Sequence, residues 1–297
     1  NMQKKTGSIL LASLFILEIF VNAGIGFGMN GVADAGYYLG NTESIQNAVS
    51  FANQEERGLD NSFARADMVN PRMLDEATFS NMKSLGTFCS TVRGNMVSAM
   101  AKFGYYTGAN EYLYSGASPA SDDIMGVRYI YTCDGDYYPK KYMYSKIYDR
   151  EGVQIYENED ALPIAYAAND TLLDWDVETY HAADNLNKYV RMSADMEPVF
   201  VDEYPSLTTD GKDCSSWIGD EDKHVISYRA SGNTPPILNI YFTVKGSGDY
   251  FVNLRGNGIE NVTYSLNGQQ ITSDRYQLQL FDLGNLADGD EVMLSLK

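Results

Sequence analysis

The sequence has few of the residues from which catalytic and metal centres are most often built. It contains only three cysteines and two histidines in 297 residues, and the cysteine spacings match no zinc-binding pattern. GxSxG, HExxH and P-loop sequences are absent, and the glycines at residues 24–28 lie in an apolar run with no preceding strand. We therefore predict no metal site and no cofactor in this chain, and two histidines leave little room for histidine-based catalysis.

Basic residues are also scarce. The chain has 22 Lys and Arg against 40 Asp and Glu, which gives a net charge of −18 at pH 7. Nucleic-acid binding requires basic side chains that displace counterions from phosphates, and anionic lipid surfaces attract basic segments. The composition argues against a nucleic-acid partner. It is compatible with uncharged substrates such as sugars, or with cationic partners.

The three cysteines, Cys89, Cys133 and Cys214, cannot all pair within one chain. One disulfide and one free thiol would form in an oxidising compartment. Three buried thiols is the simpler alternative, because free cysteine often packs as a small apolar residue. The sequence leaves both arrangements open.

A long apolar run lies near the N-terminus. Ser8–Met29 carries a single charged residue, Glu18, and a helix of this length covers a hydrocarbon core about 30 Å thick. A cleaved signal peptide is the main alternative, but its apolar stretch is shorter, at about 7–15 residues. We predict that residues 1–30 form a retained membrane-spanning helix with a short cytoplasmic flank.

The charges on either side of this run indicate its orientation. Lys4 and Lys5 precede the run, whereas Asp34 and Glu43 follow it. Cytoplasmic flanks of membrane helices are enriched in Lys and Arg. We therefore predict a location in the cell membrane, with a cytoplasmic N-terminus and an extracytoplasmic acidic bulk.

Two polar residues within the run, Glu18 and Asn22, are four positions apart and share one face of the helix. A carboxylate in hydrocarbon is costly, so this face should meet other helices or a water-filled cavity. The pattern predicts further membrane helices around this one. An isolated anchor, with Glu18 protonated or reaching outward, is the alternative.

Hydrophobic periodicity predicts an α+β fold with two domains after the span. Residues 31–225 mix helical and strand patterns, which predicts a mixed α+β domain. Residues 226–297 contain short alternating strands with glycine-rich turns, which predicts a jelly-roll-like β-sandwich. This sandwich is expected to be truncated, because the chain ends directly after a strand. Helices are predicted over residues 45–57, 74–85, 94–103 and 178–192, and strands over residues 124–132, 144–149, 153–156, 164–168, 226–230, 237–244, 250–254, 262–266, 276–281 and 292–296.

Acidic residues close together in sequence are the first candidates for carboxylate chemistry. Glycoside hydrolysis needs two carboxyl groups facing each other across a cleft, a separation that sequence does not show. Solvated loops are the preferred interpretation of each group, and a self-contained extracellular hydrolase is the corresponding functional hypothesis. The groups are Asp122-Asp123, Asp134 with Asp136, and Asp220-Glu221-Asp222.

Tyrosines are concentrated in one part of the chain, with twelve of the 23 between residues 105 and 156. The apolar face and hydroxyl of tyrosine suit the C–H faces and hydroxyls of a sugar ring. The same side chain also suits a half-buried strand. We select Tyr105, Tyr106, Tyr137 and Tyr138 as candidates for stacking against a sugar.

Four segments, in order along the chain, resemble one known family. They are the span with Glu18 and Asn22-Ala23, residues 115–119 (SGASP) leading into 125–130 (MGVRYI), residues 155–163 (IYENEDALP) and residues 281–290 (FDLGNLADGD). In this combination the chain is similar to the YfhO family of bacterial membrane proteins. The resemblance covers nearly the whole chain.

The resemblance implies a multi-spanning GT-C-type glycosyltransferase that decorates teichoic or lipoteichoic acid with sugar carried on a polyprenyl phosphate. The implied partners are the membrane, the remaining transmembrane helices, the polyprenyl-phosphate sugar and the envelope glycopolymer. In such enzymes the catalytic carboxylate lies in an early extracytoplasmic loop, which would precede residue 1, so no catalytic residue is transferred to this chain. The expected role here is to position the acceptor. A non-catalytic, membrane-anchored surface module that binds glycan or protein is the alternative.

Overall fold

The N-terminal apolar run forms one long helix, α1 (Met2–Met29). In the computed structural model its Lys5–Met29 stretch reaches a mean hydropathy of 2.1, and the most apolar part of that stretch is not buried inside the structure. Glu18 and Asn22 are both exposed on this helix. The predicted apolar helix is confirmed, and by length and composition it is able to cross a membrane.

The structure describes residues 2–29, 36, 39–56, 63–177, 181–220, 225–232, 234–254, 259–275 and 280–297. It divides into two compact units, residues 1–42 and residues 43–297. The helices after α1 are α2 (Thr42–Glu56), α3 (Glu76–Ser80), α4 (Gly94–Lys102), α5 (Pro119–Met125) and α6 (Ala182–Ala194), with 3-10 helices at Pro139–Tyr142 and Asp170–Asp174.

Sixteen strands lie among the described residues, and the predicted α+β class is confirmed. They are β1 (Arg65–Met68), β2 (Thr87–Phe88), β3 (Tyr106–Thr107), β4 (Glu111–Leu113), β5 (Val127–Cys133), β6 (Ser145–Arg150), β7 (Val153–Glu157), β8 (Thr208–Lys212), β9 (Cys214–Asp220), β10 (Val225–Ala230), β11 (Ile237–Thr243), β12 (Gly248–Asn253), β13 (Asn261–Leu266), β14 (Gln269–Arg275), β15 (Leu280–Leu286) and β16 (Glu291–Leu296).

The first large sheet has the strand order β1-β5-β7-β6, with β1 parallel to β5 and the other pairs antiparallel. Helix α2 packs on one face, where its stripe of Ile45, Ala48, Val49 and Ala52 is buried. This stripe has the i, i+3, i+4, i+7 spacing that puts apolar side chains on one side of a helix. The predicted helix over 45–57 is thereby confirmed.

The opposite face of this sheet packs against an aromatic core. The core includes Met100 from α4, Tyr105, Ile130 from β5, and Leu186 from α6. Because both faces are covered, β5 is buried over almost its whole length. A three-stranded sheet, β2-β4-β3, adjoins this region.

The C-terminal strands form a β-sandwich, as predicted. A five-stranded antiparallel sheet, β14-β13-β16-β11-β8, shares one apolar core with the β12-β15 pair. Ile240 and Leu294 contribute to this core from the larger sheet, and Phe281 from β15. The turn between β13 and β14 has positive φ at Asn267 (49°) and Gly268 (78°), as a tight Asn-Gly hairpin turn requires.

Strand pairing in the sandwich extends across residue 225, where the sequence predicts a domain boundary. β8 pairs with β11, and β9 pairs with β10, so strands on both sides of this position belong to the same sheets. The compact unit of residues 43–297 is likewise not divided there. The five-stranded sheet therefore includes a strand from the predicted mixed domain.

Two predicted elements end or begin elsewhere for reasons of local backbone geometry. The helix predicted over 74–85 is wrong beyond Ser80, where α3 ends because Asn81 adopts a left-handed conformation (φ 58°). The strand predicted from residue 124 begins only at Val127. Residues 119–125 are instead helix α5, started by a capping box between Ser118 and Ser121 and ended at Gly126 (φ 66°).

Three further predictions differ from the structure. The strand predicted over 164–168 is wrong: these residues form no regular element, and Ile164 is half exposed. The helix predicted over 178–192 begins at Ala182, and residues 178–180 lie outside the described residues. Of the strand predicted over 276–281, residues 276–279 lie outside the described residues, and β15 begins at Leu280.

Candidate functional site

A cleft of about 290 Å³ lies where the aromatic core region meets the sandwich. On the sandwich side it is lined by β15, and on the other side by the loop before α5 and the segment leading into the first 3-10 helix. The Tyr137 hydroxyl donates a hydrogen bond to the Asp282 carbonyl oxygen at 3.1 Å across this junction. The lining consists of residues 69–70, 114–117, 135–140, 272 and 280–282.

The two sides of the junction approach each other closely. Gly284 on β15 has φ +83°, and a Cβ atom placed there would lie 3.1 Å from Pro139 Cβ. Glycine adopts this conformation without steric cost and leaves room for the proline ring. The first residues of the 3-10 helix therefore pack directly on the strand that carries Asp282.

A buried polar cluster lies directly behind the cleft wall and is centred on Asp122. The Asp122 side chain is fully buried, and its Oδ2 accepts hydrogen bonds from the hydroxyls of Tyr114 and Tyr144, both at 3.0 Å. Lys140 Nζ lies 3.3 Å from the same oxygen. The second oxygen, Oδ1, has no hydrogen-bond partner among the described residues.

Lys140 contacts a carbonyl oxygen, a carboxylate and two aromatic rings within this cluster. Its Nζ donates a 2.8 Å hydrogen bond to the Ala117 carbonyl oxygen. It also lies 5.5 Å from the ring centroid of Tyr114 and 5.8 Å from that of Tyr138, within the range of cation–π attraction. The ammonium is thus paired with Asp122 and flanked by two aromatic faces.

Burial sets the protonation behaviour of the cluster. Desolvation raises the pKa of Asp122, although the charge of Lys140 and the tyrosine hydroxyls act in the opposite direction. The pKa of Tyr114 is raised well above its usual value by burial and then by the nearby Asp122. These tyrosines therefore remain neutral and act as hydrogen-bond donors to the carboxylate.

Asp282 is the acidic group of the cleft that still offers an acceptor. Its Oδ1 accepts a 2.8 Å hydrogen bond from the Gly284 N–H, whereas its Oδ2 is buried without a hydrogen-bond partner in the described part of the chain. Burial raises the pKa of this carboxyl to about 6, against the opposing charge of Lys140. A titratable group with a shifted pKa in a cleft is typical of a functional site.

Asp282 should make stability depend on pH. Its folded-state pKa of about 6 exceeds the ordinary value of 3.8, so the folded chain binds more protons and its stability falls as pH rises from about 4 through 6. Between about pH 4 and pH 7, Asp282 should cost the unsubstituted chain on the order of 3 kcal/mol of its free energy of unfolding. We expect Asp282→Asn not to show this loss. Urea unfolding at several pH values measures it.

The matched control for this experiment is Glu291→Gln. Glu291 is an exposed carboxylate at the start of β16, outside the cleft lining. We expect its pH profile to follow that of the unsubstituted chain. Parallel profiles for Asp282→Asn and the unsubstituted chain would contradict the prediction.

The structure separates the four tyrosines selected from sequence. Tyr137 and Tyr138 line the cleft. Tyr105 is fully buried in the aromatic core, which leaves no ring face for a ligand. Tyr106 lies outside the cleft lining, and its hydroxyl donates a 3.0 Å hydrogen bond to Glu111. Stacking against a sugar stays a prediction, and the geometry directs it to Tyr137.

The acidic groups selected from sequence have different environments. Asp122 is buried, so the solvated-loop interpretation is wrong for it. Asp136 belongs to a turn, where its Oδ2 accepts a 2.6 Å hydrogen bond from the Cys133 N–H. Residues 221–222 lie outside the described residues. No group of three or more His, Cys, Asp or Glu side chains in the described part of the chain could hold a metal ion.

Sequence reasoning missed Lys140 and Asp282. Lys140 follows Pro139, and Asp282 lies between the apolar residues Phe281 and Leu283. A charged residue between two apolar residues was the available signal for Asp282. Nothing local marks Lys140, because its partners Asp122 and Ala117 are 18 and 23 positions away in sequence.

Comparison with known proteins adds the family. The family model described as "Bacterial membrane protein YfhO" matches residues 1–297, the whole chain. No curated protein and no solved structure matches the chain. The match agrees with the resemblance carried by the four sequence segments and with the exposed apolar helix α1, and it indicates a membrane-associated role. The chain therefore belongs to the YfhO family of bacterial membrane proteins.

Proposed function

We propose that this chain is the extracytoplasmic part, with one membrane helix, of a multi-spanning glycosyltransferase. The enzyme would transfer sugar from a polyprenyl phosphate to an envelope polymer of the teichoic or lipoteichoic acid type. Family membership and the apolar helix α1 support this assignment. The proposal assigns no catalytic residue to this chain and gives it the task of positioning the acceptor polymer.

The proposal also includes an arrangement in the membrane. The N-terminus would be cytoplasmic, and residues 43–297 would lie on the outer side, where the envelope polymer is assembled. Glu18 and Asn22 would face the other transmembrane helices of the enzyme, because both are exposed on α1 and lie on one face.

The cleft is the observation that carries the acceptor-positioning role. Its volume of about 290 Å³ is just below the range for small-molecule sites, about 300–1,000 Å³. Such sites combine apolar and aromatic walls with a few directed polar groups. Here Tyr137, Leu280 and Phe281 supply apolar surface, and Asp282 supplies an unpaired acceptor.

Deleting the gene that encodes the full-length protein tests the proposal. We expect the envelope polymer to lose its sugar substituents, measured by chromatography of the hydrolysed polymer. The unsubstituted gene should restore them. A copy carrying Ser115→Trp, which fills the cleft with an indole, should restore less than about a tenth of the sugar substituents. The variant protein should reach the membrane in the same amount as the unsubstituted protein.

Two results would count against this function. Unchanged sugar content after deletion would remove the glycosyltransferase assignment and favour the surface-module alternative. Full restoration of the sugar substituents by Ser115→Trp would leave the glycosyltransferase assignment standing. It would show that the cleft does not position the acceptor, because Ser115 is part of the cleft lining.

A further inference from the structure

We infer that the cleft binds a neutral, hydroxyl-bearing unit of the acceptor, with Asp282 accepting a hydrogen bond from a ligand hydroxyl, and that it excludes phosphate groups. This inference rests on the proposed function in taking the acceptor as the ligand. It adds which chemical part of the polymer enters the site.

The only basic residue in the cleft lining among the described residues is Lys140, and it is not available to an anion. Two of its three N–H donors are used, by the Ala117 carbonyl and Asp122 Oδ2. Its charge is matched by the fully buried Asp122 at 3.3 Å. Phosphate recognition usually depends on unpaired Arg or Lys donors or on helix N-termini, whereas this lysine has a paired charge and only one N–H left.

The remaining charges of the lining are negative. Asp136 and Asp282 both line the cleft, and Asp122 lies behind Lys140. The lining and the wall behind it therefore hold three carboxyl groups and one ammonium. A phosphate entering this space would face like charges in a partly desolvated site, where such juxtaposition is costly.

Asp282 is the acceptor left for a ligand. The two oxygens of Asp136 accept hydrogen bonds from the Asn70 side-chain amide and the Cys133 N–H, so this carboxylate is already occupied. In contrast, Asp282 Oδ2 is buried without a partner in the described part of the chain. A buried acceptor without a donor is unfavourable. A small rotation of the partly buried Asp282 side chain towards the cleft would let a ligand hydroxyl remove that cost.

A neutral hydroxyl fits Asp282 without a cationic group on the ligand. The positive charge of Lys140 already acts on Asp282 and opposes the effect of burial on its carboxyl. A hydroxyl donates the required hydrogen bond without adding charge, and the apolar faces of Leu280 and Phe281 suit the C–H groups of a polyol or sugar.

Binding to the full-length protein in nanodiscs of neutral lipid tests the inference. The probes are maltotriose and its phosphate monoester, compared by isothermal titration calorimetry at pH 7.5. We expect maltotriose to bind at least about tenfold more tightly than the ester. Its affinity should also weaken as pH falls through about 6, because the Asp282 carboxylate becomes protonated.

Variants separate a hydrogen bond at Asp282 from a general structural effect. Asp282→Asn replaces the free acceptor with an amide donor and should weaken maltotriose binding about tenfold or more, because a hydrogen bond to a charged group is lost. Glu291→Gln, outside the cleft lining, should bind as the unsubstituted protein does. Ser115→Trp should abolish binding of both probes by occupying the cleft.

Equal or tighter binding of the phosphate ester would overturn the inference. So would unchanged maltotriose affinity in Asp282→Asn, or binding of neither probe at millimolar concentration. The proposed function is judged separately, by polymer sugar content after gene deletion. If gene deletion removes the sugar substituents but the protein binds the phosphate ester more tightly, only the ligand class is overturned. If deletion leaves the sugar content unchanged but maltotriose binds more tightly, only the enzyme assignment is overturned.

Discussion

Lys140→Met should lower the free energy of unfolding by about 3–5 kcal/mol, because it leaves the fully buried Asp122 carboxylate without its counter-charge. Only the hydroxyls of Tyr114 and Tyr144 would remain to stabilise that charge. Methionine approximates the length of the lysine stem, so lost packing contributes little. Urea unfolding of the chain in detergent, followed by circular dichroism, measures the change.

A neighbouring lysine provides the matched control. Lys141 is exposed and adjacent in sequence, so Lys141→Met should change the free energy of unfolding by less than about 0.5 kcal/mol. Adding Asp122→Asn to Lys140→Met should restore part of the loss, because it removes the uncompensated buried charge. If Lys140→Met and Lys141→Met cost the same, the Asp122–Lys140 pair has no special weight in the fold.

Cys89 should react with a membrane-impermeant maleimide in intact cells, and this result would place the acidic bulk outside. Of the three free cysteines, only Cys89 is exposed. Its thiol lies 3.2 Å from the Thr91 hydroxyl, and this hydrogen bonding lowers the pKa of Cys89. More thiolate is therefore present at neutral pH, and the thiolate is the reactive form.

The other two cysteines make this a selective test. Burial raises the pKa of Cys133 to about 11, and Cys214 is half-buried. We therefore expect Cys89→Ser to remove most of the labelling of intact cells. Labelling of Cys89 only after the cells are opened would reverse the proposed orientation. Denaturing the protein before labelling should expose all three thiols and shows that the reagent is active.

Patterns that act over one or two turns of a helix, or along one strand, were readable from the sequence. The apolar helix α1 follows from a continuous apolar run. The helix over 45–57 and the strands of the sandwich follow from local periodicity. Predictions failed where a single backbone conformation decided the boundary. Asn81 ends α3 early, and Gly126 separates α5 from β5.

The candidate site could be predicted only in part. The tyrosine cluster drew attention to residues 105–156, and Tyr137 and Tyr138 do line the cleft. Lys140 and Asp282 were missed, because their roles depend on contacts between distant parts of the chain. The Tyr137–Asp282 hydrogen bond, for example, joins residues 145 positions apart.

By itself the sequence determined the apolar helix, the α+β class, the acidic character and the family resemblance. Each of these depends on composition or on side chains that are neighbours along the chain. Only the tertiary structure decided which charged groups are buried and which carboxylate oxygens are left unpaired. Burial and pairing arise when β15 packs against the segment around Lys140, and it is this packing that raises the pKa of Asp282 and forms the cleft.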